Sequence, residues 1–101
     1  MPLPNTKIAT DKLLYSEPIH PGLRTIIPFE VRFERTENGI AAVVQELDEY
    51  GLGDTQADAL EDLGKTLQEL YLSLEADQSR LSGDLLSVWT RLKTHVKRIE
   101  R

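Results

Sequence analysis

The sequence predicts a small α+β domain: an antiparallel β-hairpin or small three-stranded sheet covered by a helical hairpin. Three observations carry that prediction. Ile27, Phe29, Val31 and Phe33 alternate with Glu30, Arg32 and Glu34, the period of a half-buried strand. Asn38-Gly39 follows directly, a strong hairpin signal because both residues tolerate the positive φ of a type I′ turn. Leu60, Leu63, Leu67, Leu70 and Leu74 then recur at spacings of three and four, an amphipathic helix.

Length and composition bound the rest. At 101 residues and 40% hydrophobic, the chain suits one core, and its net charge of −5 disfavours general affinity for nucleic acid or anionic membrane. It has no cysteine, which excludes disulfides and thiolate metal sites. No run approaches the ~20 apolar residues of a membrane span, and the start Met1-Pro2-Leu3-Pro4-Asn5 lacks the basic and apolar regions of a signal peptide. The expectation is a cytoplasmic protein.

Residues 1–25 hold four of the five prolines, with His20-Pro21-Gly22 as a turn, and read as an extended arm. Within it the apolar run Leu13-Leu14-Tyr15 could dock on the core or add an edge strand. Residues 26–101 then form the single domain. After the first strand, Ile40 to Val44 is the return strand. A two- or four-residue loop places Ile40, Ala42 and Val44 on the face of Phe29, Val31 and Phe33, whereas a three-residue loop inverts it. Glu46 to Gly53 reads as a tight connection with at most a short third strand. Thr55-Gln56-Ala57-Asp58 resembles a capping box, and the helix runs from about 56 to 76, with Ala59 and Tyr71 widening the stripe. Asp77 to Gly83 is a turn. Leu85, Trp89, Leu92, Val96 and Ile99 draw the second stripe, from about 84 to the end of the chain.

The segment from Phe29 through Ala42, followed by Gly51-Leu52-Gly53-Asp54-Thr55-Gln56-Ala57-Asp58-Ala59-Leu60, resembles the HicB-like antitoxin family, in which a hairpin leads to a Gly-Asp-Thr turn and an Ala-Leu helix start. The resemblance covers about residues 26–76. It implies a partly degenerate ribonuclease-H-like fold that binds and neutralises a small ribonuclease toxin of the double-stranded-RNA-binding fold. Two features depart from the family. The connection Leu47 to Gly51 is shorter than the usual proline-rich loop. The long amphipathic C-terminal helix also stands where a ribbon-helix-helix or helix-turn-helix domain usually follows, as in a stand-alone relative.

No residue set points to catalysis, a metal or a cofactor. His20 and His95 have no second ligand at metal spacing and read as solvated. Glu30 and Glu34 flank Arg32 as an exposed ladder, not as converging metal carboxylates. Gly51 and Gly53 lack the further glycine and lysine of phosphate loops and read as backbone relaxation at a turn, with Asp54 beside them. Thr55 caps the helix and Asp58 complements its dipole.

Charge is segregated. Glu46, Asp48, Glu49, Asp54, Asp58, Glu61 and Asp62 fall between Gln45 and Asp62 with no Lys or Arg among them. Arg91, Lys93, Lys97, Arg98 and Arg101 crowd the end. Helix dipoles account for much of this, but not for Glu46, Asp48 and Glu49, which with Tyr50 form an acidic, aromatic loop suited to a basic protein partner. The leading expectation is therefore an antitoxin-like binding protein with a small basic toxin as partner. The alternatives are a dimeric DNA-binding regulator using the basic C-terminal helix, or a structural adaptor. Ten large apolar residues in two stripes, with Ala41, Val43 and Leu47 on the hairpin's second face, exceed what so small a fold buries, which predicts a homodimer.

Overall fold

The computed structural model describes residues 12–15 and 22–98. Its elements run β1 (Lys12–Tyr15), β2 (Leu23–Thr25), β3 (Phe29–Thr36), β4 (Gly39–Val44), a 3-10 turn (Gln45–Leu47), β5 (Glu49–Gly53), α1 (Gln56–Ala76), a second 3-10 turn (Gln78–Arg80), α2 (Gly83–His95) and β6 (Val96–Arg98). The architecture is α+β with two antiparallel sheets, a four-stranded sheet ordered β1-β3-β4-β5 and a two-stranded one pairing β2 with β6. Expected residues 1–11, His20, Pro21, Ile99 and Arg101 lie outside the described residues.

The hairpin takes the even register. Thr36 pairs with Gly39 and Phe33 with Ala42, leaving Glu37 and Asn38 as a two-residue loop. The expected type I′ turn does not form. The central pair is Glu37-Asn38 rather than Asn38-Gly39, and among described non-glycine residues only Asp48 has positive φ. The unusual backbone falls on Gly39 at φ 149°, and Asn38 N–H donates to Thr36 Oγ1 at 3.2 Å. One face of this hairpin, with Phe29, Val31, Phe33, Ala42 and Val44, is buried against Ala59, Leu63, Leu67, Tyr71 and Leu74 of α1.

The connection expected from Glu46 to Gly53, with at most a short third strand, is a 3-10 turn and the five-residue strand β5. In β5, Gly51 is buried while Tyr50 and Leu52 are exposed. A Cβ on Gly51 would stand 2.2 Å from Leu63 N and 2.4 Å from Ala59 O, and one on Gly53 would stand 2.5 Å from Ala59 N. Two glycines on one face of β5 thus bring the α1 backbone directly onto the sheet. Because glycine carries no hydropathy signal, the strand's buried face is silent in the sequence.

The second helix also differs from expectation. It ends at His95, and Val96–Arg98 turn into a strand paired with Leu23–Thr25. The His95 carbonyl accepts Ile26 N–H at 2.7 Å and Ile27 N–H at 3.3 Å, so the chain before β3 captures the helix end. Val96 is buried in the core from β6, although its spacing from Trp89 and Leu92 fits a helical period. Leu23 is fully buried, so the boundary expected after residue 25 falls inside a paired, core-forming segment. Lys12–Tyr15 form the edge strand against β3. Only α1 lies along β4 and β5. The second helix packs on α1, β6 and the first 3-10 turn, rather than adding a second rib over the sheet. The α1–α2 contact centres on Tyr71 and Trp89, edge to face at 5.0 Å. Leu47, expected on the hairpin's second face, is core, while Leu85 of the second stripe is exposed.

Candidate functional site

The four residues expected to form one acidic, aromatic loop each fall in a different environment. Glu46 lies in the first 3-10 turn, where its Oε2 meets His95 Nε2 at 2.7 Å and its carbonyl accepts Arg91 Nη1 at 3.0 Å. His95 is therefore not the solvated histidine expected. Its side chain is 14% exposed, its ring stacks on Phe29 at 4.3 Å, and its Nδ1 faces the Ile27 carbonyl at 2.8 Å. This junction ties α2 to the turn before β5 and to the start of β3. Sequence spacing could not reveal it, because its members are 68 residues apart in the case of Ile27 and His95.

Asp48 is exposed at the bend, with φ 57°. Glu49 begins β5 and is half-buried, and burial foremost, with the Asp48 charge second, raises its pKa above the usual carboxylate value. Since successive strand residues point to opposite faces, Tyr50 leaves Glu49 behind and emerges on the face away from α1. The expectation that Tyr50 sits at the centre of the acidic loop does not match this geometry. Nor are Glu46, Asp48 and Glu49 independent of the fold, because Glu46 holds the His95 junction.

The remaining acids gather along one margin. Thr55 is the N-cap of α1, its Oγ1 accepting Asp58 N–H at 3.1 Å, which starts the helix beside the end of β5. Asp58, Glu61 and Asp62 follow at helical neighbour spacing and are exposed, as is Asp54 in the turn before them. Asp62 Oδ2 accepts Leu52 N–H at 2.9 Å, which fixes this acidic ridge against the edge strand. Asp62 acquires its role only through that pairing, across 10 residues of chain.

Arg91, Lys93 and Arg98 of the basic end have partners on the surface of the same molecule. Arg91 donates to Glu46, and Lys93 Nζ lies 5.2 Å from the Trp89 ring centroid. Arg98 grips Glu75 with both ends of its guanidinium, Nε to Oε2 at 2.9 Å and Nη2 to Oε1. That hydrogen bond, more than charge alone, holds the Glu75 carboxyl below its usual range.

The sheet face away from α1 carries two cross-strand rows. Arg32 pairs with Val43 and Val43 with Tyr50, while Glu34 pairs with Ala41 and Ala41 with Leu52. Arg32 Nη2 reaches Glu34 Oε2 at 3.4 Å. Tyr50 and Leu52 are 56% and 52% exposed, and Ala41 is buried on this face without belonging to the main core. A shallow hollow opens above Ala41, Gly39 and Gly53.

Among the described residues no three His, Asp or Glu side chains converge as metal ligands, and no helix is long and apolar enough to cross a membrane. No family model, curated protein or solved structure matches this chain. The arrangement itself offers an acidic ridge and an apolar, mixed-charge sheet face, which are recognition surfaces in chemical character.

Proposed function

We propose that this chain is a non-catalytic, antitoxin-like binding protein that neutralises a small basic ribonuclease by masking its RNA-binding surface. The observation that carries the reading is the exposed ridge of Asp54, Asp58, Glu61 and Asp62 beside β5, in a segment with no cation from Gln45 to Asp62. A surface built to bind phosphates is attracted to clustered carboxylates, which steer association at low salt. The resemblance of the hairpin-to-helix segment to HicB-like antitoxins supports the same class of partner. The DNA-binding alternative draws little from the C-terminal segment, because Arg91, Lys93 and Arg98 are engaged internally and α2 stops at His95. A basic recognition helix needs such side chains free for phosphates and bases.

The test is titration with the product of a short basic reading frame adjoining the gene. The double variant Asp54→Lys/Glu61→Lys changes charge without touching the His95 junction or the Asp62 bond. It should retain wild-type helical content and weaken binding by about tenfold or more at low salt, with a smaller loss at high salt. Unchanged affinity in this variant removes the ridge as the binding surface. Failure of any adjoining basic protein to bind the wild type removes the antitoxin reading.

A further inference from the structure

We infer that the sheet face opposite α1 is the interface for a second copy of this chain, docked face to face about a two-fold axis. Two cross-strand rows on this face complement each other. Arg32, Val43 and Tyr50 form one row, and Glu34, Ala41 and Leu52 form the next. An axis between the rows, perpendicular to the strands, brings each row over the other in the partner copy. Arg32 then faces Glu34, Val43 faces Ala41, and Tyr50 faces Leu52. Every contact pairs opposite charges, large with small, or aromatic with aliphatic, and the hollow above Ala41 receives the bulk of Val43.

This self-complementarity is what an isologous interface requires, because the same patch must satisfy itself. Arg32 and Glu34 place one cation and one anion at the two positions that meet across the axis, a charge complementarity that the face offers to a second copy of itself. The cationic partner has the acidic ridge instead. Tyr50 and Leu52, each more than half exposed, supply the apolar area that association would remove from water. Contact by the face rather than by the β5 edge follows from Asp62, which already occupies the outward Leu52 N–H and blocks strand addition there. The rows that would meet a second copy, Arg32-Val43-Tyr50 and Glu34-Ala41-Leu52, contain none of the ridge acids, although Asp54 borders both the ridge and the hollow.

The experiment is sedimentation of the full chain and of three variants, with circular dichroism as the control for folding. The wild type should dimerise in the micromolar range. At the two positions that meet across the axis, Arg32→Glu leaves two acids and Glu34→Arg leaves two bases. Symmetry repeats each like-charge contact, so each variant alone should raise the dissociation constant by at least about tenfold. Mixed in equal amounts, the two should recover wild-type association as a heterodimer, an outcome that loss of folding or of the internal Arg32–Glu34 pair cannot produce. Leu52→Glu should be monomeric without a rescuing mate among these variants. A wild type that stays monomeric throughout the micromolar range overturns the proposal. So does a dimer indifferent to Leu52→Glu, or a pair of charge variants that fails to associate on mixing. If Leu52→Glu abolishes binding of the basic partner while leaving self-association unchanged, the face belongs to that partner and the inference fails.

Discussion

The two faces of the four-stranded sheet are built on opposite terms. Toward α1, β3 and β4 bury Phe29, Val31, Phe33, Ala42 and Val44, but along β5 side chains are removed so that backbones can meet: Gly51 and Gly53 admit the helix to distances at which any Cβ would collide with Leu63 and Ala59. On the other face, side chains are kept, and Tyr50 and Leu52 from the same strand stand out beside Val43 and Ala41. One strand therefore presents its larger apolar residues outward and its glycines inward, the reverse of an ordinary half-buried strand. Hydropathy alone does not tell which face of a strand is the core when close approach, rather than apolar volume, determines the packing.

The contrast can be broken most forcefully at Gly51. Gly51→Ala should cost about 3 kcal/mol, since the methyl group meets backbone atoms that cannot step aside without moving α1. Urea unfolding measures it, and a cost under about 1 kcal/mol would mean that the helix is not held at backbone contact.

A smaller effect is expected at Glu49, the half-buried acid that starts the same strand. Its folded-state pKa is raised, so its contribution to stability is fully present below the unfolded value and is lost as pH rises through the folded one. At neutral pH the ionised carboxylate therefore opposes folding. Glu49→Gln should unfold at a higher midpoint than wild type at pH 7, and the difference should close as pH falls through the carboxylate range. Thermal melts across that range provide the check, and a variant less stable than wild type at pH 7 contradicts the burial argument.

The smallest effect belongs to the outer face. In dilute solution, where the chain is monomeric, Leu52→Ser should leave stability within about 0.5 kcal/mol of wild type, as substitutions at exposed positions usually do. A loss several times larger would show that this face is covered within the monomer and would erase the distinction between the two faces.

Much of the fold was legible because it rests on local rules. The leucine spacing and Thr55 cap delimit α1 at Gln56–Ala76, and the alternation of Phe29, Val31 and Phe33 puts the right face of β3 inward. Those signals depend on residues a few positions apart, so the chain displays them before it folds. The candidate site was legible in composition but not in arrangement. The acidic run is plain in the sequence, yet its division into the Glu46–His95 junction, a half-buried Glu49 and an exposed ridge depends on where distant segments meet.

The sequence by itself determined the α+β class, the inward face of β3, the first helix and the concentration of negative charge between Gln45 and Asp62, while the hairpin loop length, and with it the register, came from the structure. Only the tertiary structure decided that the helical stripe continuing through Val96 would end as a strand, because Leu23–Thr25 offers backbone hydrogen bonds there and Val96 is buried from the strand. It likewise decided that Tyr50 and Glu49 part company and that the basic end turns inward to Glu46 and Glu75. The first and last outcomes share one physical reason: each is set by a partner remote in sequence, and pairing between remote segments leaves no period or spacing in the chain from which to read it, whereas Glu49 and Tyr50 part because their segment is strand and not loop.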